Sequence, residues 1–265
     1  MTQNVNRIDF HKIFKTLGPV ILPVIHVVDD DQANRNIKVA VACGVPGVFL
    51  INHDFGIDEF LPIIQKCRES FPSLWMGVNF LGVTGLDAFS VLGALATQGT
   101  LVDAYWADDA CISEHVTSQQ DAKAISRARL ESCWEGMYFG GTAFKKQRLV
   151  DPQHWQQSAR IAVGFMDVVT TSGVATGQPA ARDKISEFRL GVEASPLAVA
   201  SGVTPANFFD YADELDAVLV ATGINYPGDF YNIDPKRLID LVNQSRLKGS
   251  QKLKTVETGS DLDSD

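Results

Sequence analysis

The sequence predicts a single (β/α)8 TIM barrel, and three observations carry that reading. Short apolar runs alternate with longer amphipathic stretches eight times along the chain. No Gly/Ser-rich linker interrupts the alternation. The turn after the first strand, Val27-Val28-Asp29-Asp30, has no glycine, whereas the competing doubly wound open sheet wants a glycine-rich turn there. The length agrees: 265 residues would make two domains at about 150 each, but α/β barrels of about 250 residues fold as one.

The first strand is Pro19 to Val27. A helix follows from Asp31 to Ala42, capped within the Asp29–Asp31 run and closed by Gly44. Strand two is Gly47 to Asn52. Helix two, Ile57 to Ser70, places Phe60, Ile63, Ile64 and Cys67 at helical spacing. Strand three is Leu74 to Phe80, helix three Leu86 to Thr97, and strand four Leu101 to Ala107. Residues 108–135 exceed an ordinary barrel loop and read as an insertion, with Gln119 to Ser132 helical inside it. Strand five is Gly136 to Gly140, and helix five lies within Pro152 to Val163, capped by Asp151. Strand six is Met166 to Thr171, helix six Ala181 to Val192, and strand seven Pro196 to Ala200. The pair Thr204-Pro205 suits an N-cap and first turn, so a helix is expected to open there. Strand eight is Asp216 to Ala221, and helix eight Pro235 to Arg246. The barrel domain thus spans 1–249, and 250–265 reads as a flexible acidic tail.

Composition narrows the function. The chain has 23 basic and 32 acidic residues, a net charge of -9, which leaves no basic face for nucleic acid. Residues 1–15 lack the apolar core of a signal peptide. The longest apolar run, Gly18 to Val28, holds two prolines and His26, so it suits a buried strand and no integral membrane segment is expected. Cys43, Cys67, Cys111 and Cys133 show no CxxC or zinc-type spacing, and the simplest expectation is reduced thiols in a cytoplasmic protein.

Barrel sites lie at the carboxyl ends of the strands. Those ends carry His26, Asn52 with His53 and Asp54, Asn79, Asp108 with Asp109, Tyr138, Thr171 with Ser172, Ser201 and Thr222. Ser201-Gly202 and Thr222-Gly223 follow strands seven and eight, where backbone amides and a helix N-terminus hold phosphate in such barrels. Thr171-Ser172-Gly173 would add donors. Equally, these glycines would serve tight turns, and no Lys or Arg stands in the loops to balance an anion. His26 is a candidate acid or base or, more blandly, a hydrogen-bonded histidine in the mouth. Asn52 and Asn79 each need a partner or a ligand, because an unpaired buried amide is costly. They could also bond each other. Asp108 is a candidate carboxylate acid or base. With His26 and Asp54 it could form one side of a hard metal site, but no HxH or HExxH spacing supports a metal. No cofactor is expected: GxSxG, Walker A and GxGxxG motifs are absent.

VVTTSGVATG at Val168–Gly177, VASGVTPAN at Val199–Asn207 and AVLVATGI leading to GDFYNID at Ala217–Asp234 resemble the BtpA/SgcQ family. Val24-Ile25-His26, Asn52 and Gly77-Val78-Asn79 resemble its first three strand ends. The resemblance covers nearly the whole chain, most closely after Phe165. Three positions depart from it: Ile51 stands where many members have Glu, Trp106-Ala107-Asp108 replaces an Arg-Val-Asn type sequence, and 140–146 keeps Lys145 and Lys146 but no family Asp. The family is named for photosystem I accumulation and has no securely attached reaction, so the resemblance implies a barrel without fixing a chemistry.

The residues therefore favour an enzyme acting on a small phosphorylated or anionic metabolite, of the aldolase, isomerase or nucleoside-phosphate type. His26 and Asp108 would be the acid/base pair, with Asn52 and Asn79 orienting substrate. The alternatives are a non-catalytic assembly factor contacting a protein partner through the insertion and Trp134, or a ligand sensor; a homo-oligomer is compatible with any of the three.

Overall fold

A computed structural model describes residues 5–145 and 147–260. Eight parallel strands close into a barrel in sequence order. They are β1 Val20–Val27, β2 Gly47–Asn52, β3 Trp75–Asn79, β4 Ala104–Ala107, β5 Met137–Gly141, β6 Val168–Thr171, β7 Leu197–Ala200 and β8 Ala217–Val220. Closure is set by register, with Val24 opposite Phe49 on one side of β1 and Pro23 opposite Val220 on the other.

The period of two along each strand divides the apolar residues between two cores. Val20, Leu22, Val24, Phe49, Ile51, Ala104, Trp106, Phe139, Val168, Ala198, Ala200, Ala217 and Leu219 fill the barrel interior. Ile21, Ile25, Val27, Val48, Leu50, Val78, Tyr105, Tyr138, Val169, Val199 and Val218 pack under the helices. Because both faces are covered, the strands read as nearly continuous apolar runs.

The outer helices are α2 Asp30–Ala42, α3 Ile57–Ser70, α4 Gly85–Thr97, α5 Gln120–Glu131, α6 Trp155–Ala162, α7 Arg182–Val192 and α8 Pro235–Ser260. Asp29 caps α2 by accepting from the Gln32 amide, and Thr84 caps α4 from Leu86. A further helix, α1 Arg7–Phe14, was not expected from the sequence. Asn6 caps it, and Phe10 and Phe14, one turn apart, plug the lower end of the barrel against Phe139 and Trp75.

One device recurs at the lower rim. Asp103, Asp167 and Asp216 stand just before β4, β6 and β8. Each accepts from an arginine on the helix two strands earlier, namely Arg68, Arg129 and Arg189. Each also accepts a backbone amide from the preceding strand, at Met76, Tyr138 and Leu197. Asp216 additionally receives Arg7 Nε at 2.8 Å and His11 Nε2 at 3.0 Å, which docks α1.

Three expectations change. The insertion at 108–135 resolves into a loop, 108–119, and the barrel's own helix α5, packed on α4. No α-helix opens at Thr204-Pro205. Asn207 turns its side chain back on the Thr204 amide and the Gly202 carbonyl, and the segment closes as single turns around a 3-10 turn at Phe208–Asp210. Finally, the tail expected from 250 is helical through Ser260 as the end of α8. Gly249, just before that stretch, packs closely on Leu17 and Gly18: a Cβ there would meet the Gly18 nitrogen at 2.7 Å. Residues 261–265 of that tail, and Lys146, lie outside the described residues.

Candidate active site at the barrel mouth

The alternation that fills the barrel also builds its mouth. Val24, Ile51, Trp106, Ala200 and Leu219 end the interior series as a floor. Two residues further along their strands come His26, His53 and Asp108, which rise as walls. Lys145 from the loop after β5, Thr176 and Gly177 from the loop after β6, and Ser201 and Thr222 complete the pocket.

His26 and His53 stack with ring centroids 4.6 Å apart at 29°. Phe230, from the long loop after β8, closes edge-on over His26 at 3.8 Å. The neighbouring Tyr231 donates its hydroxyl to Asp54 Oδ2 at 3.0 Å, tying that loop to the loop after β2. The Asn79 amide donates to Asp108 Oδ1 at 3.2 Å, which fixes one carboxylate oxygen. The Gln147 side-chain amide donates to the Asp108 carbonyl and so couples the loops that carry Asp108 and Lys145.

The remaining expected residues act around the pocket. Asn52 faces away from the barrel interior: it donates to the Phe55 carbonyl at 2.7 Å and accepts from the Leu81 amide at 3.1 Å. It shapes two loops, and it does not bond Asn79. Thr171 also lies on the outward parity, donating to the Ala143 carbonyl at 3.4 Å. Ser172 accepts the Lys145 amide at 2.7 Å, positioning the backbone of that loop. The Gly173, Gly202 and Gly223 backbones press against neighbouring loops, where a Cβ would meet the Gln178 carbonyl at 2.2 Å, Pro179 at 2.3 Å and the Val203 carbonyl at 1.9 Å. The loops after β6, β7 and β8 are therefore locked together by close backbone approach.

That packing revises the anion argument without removing it. The helix N-terminus expected after β7 is missing. However, the amides of Gly202, Thr222 and Gly223 have no backbone acceptor among the described residues. Ser201 has φ +104°, a conformation that side-chain-bearing residues seldom adopt, and its hydroxyl contacts the Ala175 and Gln178 carbonyls. Lysine also enters the mouth, a charge that inspection of the loops after β7 and β8 could not supply.

A second lysine supports the site from behind. Lys184 on α7 is buried, and its ammonium donates to the Ala143 carbonyl at 2.5 Å and the Ser172 carbonyl at 2.7 Å. Burial lowers its pKa to about 8. Cys67 and Cys111 offer no ready nucleophile: burial raises them to about 12 and about 11, far from the thiolate form at neutral pH. Trp134, expected as a contact surface, is 5% exposed and donates to the Val102 carbonyl, so it belongs to the core.

Sequence reasoning passed over Lys145, Trp106 and Phe230 as site residues. Trp106 and the walls above it follow from strand parity. Lys145 and Phe230 sit on loops, where no periodicity marks them.

Fold and mouth together define an eight-stranded (β/α)8 barrel with a polar, titratable cavity at the carboxyl ends of its strands. Among solved structures, the chain is similar to the tryptophan synthase alpha chain of Legionella pneumophila subsp. pneumophila, at 14% identity and TM-score 0.63, over 93% of this chain and 98% of that one. It is similar to phosphoribosyl anthranilate isomerase of Thermus thermophilus at 12% and 0.53, over 83% and 95%. A structure described as native KDPGal follows at 10% and 0.59, over 87% and 96%. Identities this low establish the shared barrel and nothing of its chemistry. The chain matches no protein-family model and no curated protein. Among the described residues no helix is long and apolar enough to cross a membrane.

Proposed function

We propose that the protein is an enzyme of BtpA-like barrel type that binds a small phosphorylated or otherwise anionic metabolite in the mouth and moves protons on it, as a lyase or isomerase does. The observation that carries this reading is the convergence of His26, His53, Asp108 and Lys145 on one pocket. Two imidazoles and a carboxylate are side chains that can give and take protons, and the ammonium supplies countercharge for an anionic substrate or intermediate. His26 is the proton donor or acceptor, held between His53 and Phe230. Asp108, oriented by Asn79, is its counterpart. Thr176, Gly177, Ser201 and Thr222 take the anion, with Gly202 and Gly223 shaping the loops. That solved barrels of similar fold are named as an isomerase and a synthase chain agrees with this reading.

The test is proton exchange. Phosphorylated sugars and sugar acids incubated with the protein in deuterium oxide are expected to lose a carbon-bound proton signal by NMR. Replacing His26 by Ala is expected to slow that exchange by about 10²–10⁴-fold. Exchange at the wild-type rate in that variant overturns the role of His26.

A further inference from the structure

Away from the mouth, Glu114, His115 and His154 converge where the 108–119 loop meets the 3-10 turn at Pro152–His154. A ligating atom from each lies within 4.8 Å of the others. His115 Nε2 is 3.0 Å from Glu114 Oε1, and the two imidazole rings meet edge-on with centroids 5.3 Å apart. The Glu114 side chain is fully shielded, while that of His115 is 63% exposed. A shielded carboxylate must be neutralised, and Arg148 does this as a bidentate partner, with Nη1 on Oε1 at 2.7 Å and Nη2 on Oε2. Each carboxylate oxygen has two lone-pair directions, so Arg148 does not exhaust its acceptor capacity. His154 Nδ1 is shielded and has no hydrogen-bond partner among the described residues, an expensive vacancy for a ring nitrogen.

From this geometry we infer that Glu114, His115 and His154 bind one divalent transition-metal ion of the zinc class. Two imidazoles and a carboxylate are a three-ligand zinc set, and the nitrogen donors disfavour magnesium and calcium. Tetrahedral ligation brings donor atoms to about 3.3 Å from one another. His115 Nε2 and Glu114 Oε1 already stand at 3.0 Å, so the remaining approach is between this pair and His154, and the exposed His115 ring can turn to share it. Water takes the fourth position on the open side. The Arg148 charge opposes the ion, which makes the site weaker than a structural zinc finger. Bound there, the metal clips the loop after β4, which begins with Asp108, to the segment after β5, which carries Lys145.

The probe is the metal alone. Protein dialysed against a chelator is titrated with Zn²⁺ by calorimetry, and with Co²⁺ by visible absorption. The expected result is one equivalent bound, with a rise in melting temperature. His115→Ala, whose exposed ring keeps folding out of question, and His154→Ala each weaken binding by about 100-fold or more. His53→Ala, in the mouth, leaves it unchanged. Absence of stoichiometric binding overturns the inference. So does binding that survives His115→Ala and His154→Ala but is lost in His53→Ala, which would place the ion in the mouth.

Discussion

His53 stacks on His26 across the seam between β1 and β2, at 4.6 Å and 29°. Each ring stands two residues beyond an interior apolar residue, Val24 in β1 and Ile51 in β2. The strand alternation that packs the barrel therefore delivers both imidazoles to the same cavity, next to Asp108, which stands in the same relation to Trp106.

Asn79 is the orienting group for Asp108. Asn79→Ala removes the 3.2 Å hydrogen bond to Oδ1 and is expected to cost about 1 kcal/mol of stability. It should also weaken binding of any ligand of the mouth, read by titration. An unchanged affinity would mean that Asp108 is held by other groups.

Asp216 predicts acid sensitivity. Burial alone would raise its carboxyl, but the His11 ring, the Arg7 guanidinium and the Leu197 amide outweigh burial and hold the pKa at about 2. The folded value lies below the unfolded one. The contribution is therefore full above pH 4 and is lost as pH falls from about 4 toward 2, amounting to about 2 kcal/mol. Urea denaturation at stepped pH should show this loss. Asp216→Asn should reduce it.

Lys184 predicts a slope of the same sign at alkaline pH. Its folded pKa of about 8 lies below the 10.5 of an unburied lysine. Between those values the unfolded chain holds one more proton, so stability rises with pH across that window, by about 3 kcal/mol. The comparison with Lys184→Met isolates the group: the stability of the wild type relative to the variant should rise from pH 8 to pH 10.5. A constant difference would contradict a lowered pKa.

The barrel was legible because alternating runs and the glycine-free first turn leave little else, and most strand ends fall within a residue or two of expectation. Helix α1 was missed because its signal is only Asn6 with Phe10 and Phe14. The helix expected at Thr204 failed because the Asn207 side chain competes for the backbone groups that a helix would use. In the site, His26, Asn79 and Asp108 were legible as strand ends. Parity would have separated them from Asn52 and Thr171, whose neighbours Val48, Leu50 and Val169 pack outward. The glycines of the last loops were legible as special, but their reason is loop-on-loop contact. Glu114 and His154 lie too far apart in the chain for spacing to unite them.

The most direct test of the central claim is a thermal-shift measurement with phosphate, phosphosugars and nucleotides on the wild-type chain, Lys145→Ala and Thr222→Val. A ligand at about 100 times its Kd adds about 2.7 kcal/mol, several degrees for a domain of this size. The expected result is a shift with a phosphorylated ligand that disappears in both variants. A shift of equal size in all three proteins, or none with any anionic ligand, would contradict an anion site in the barrel mouth.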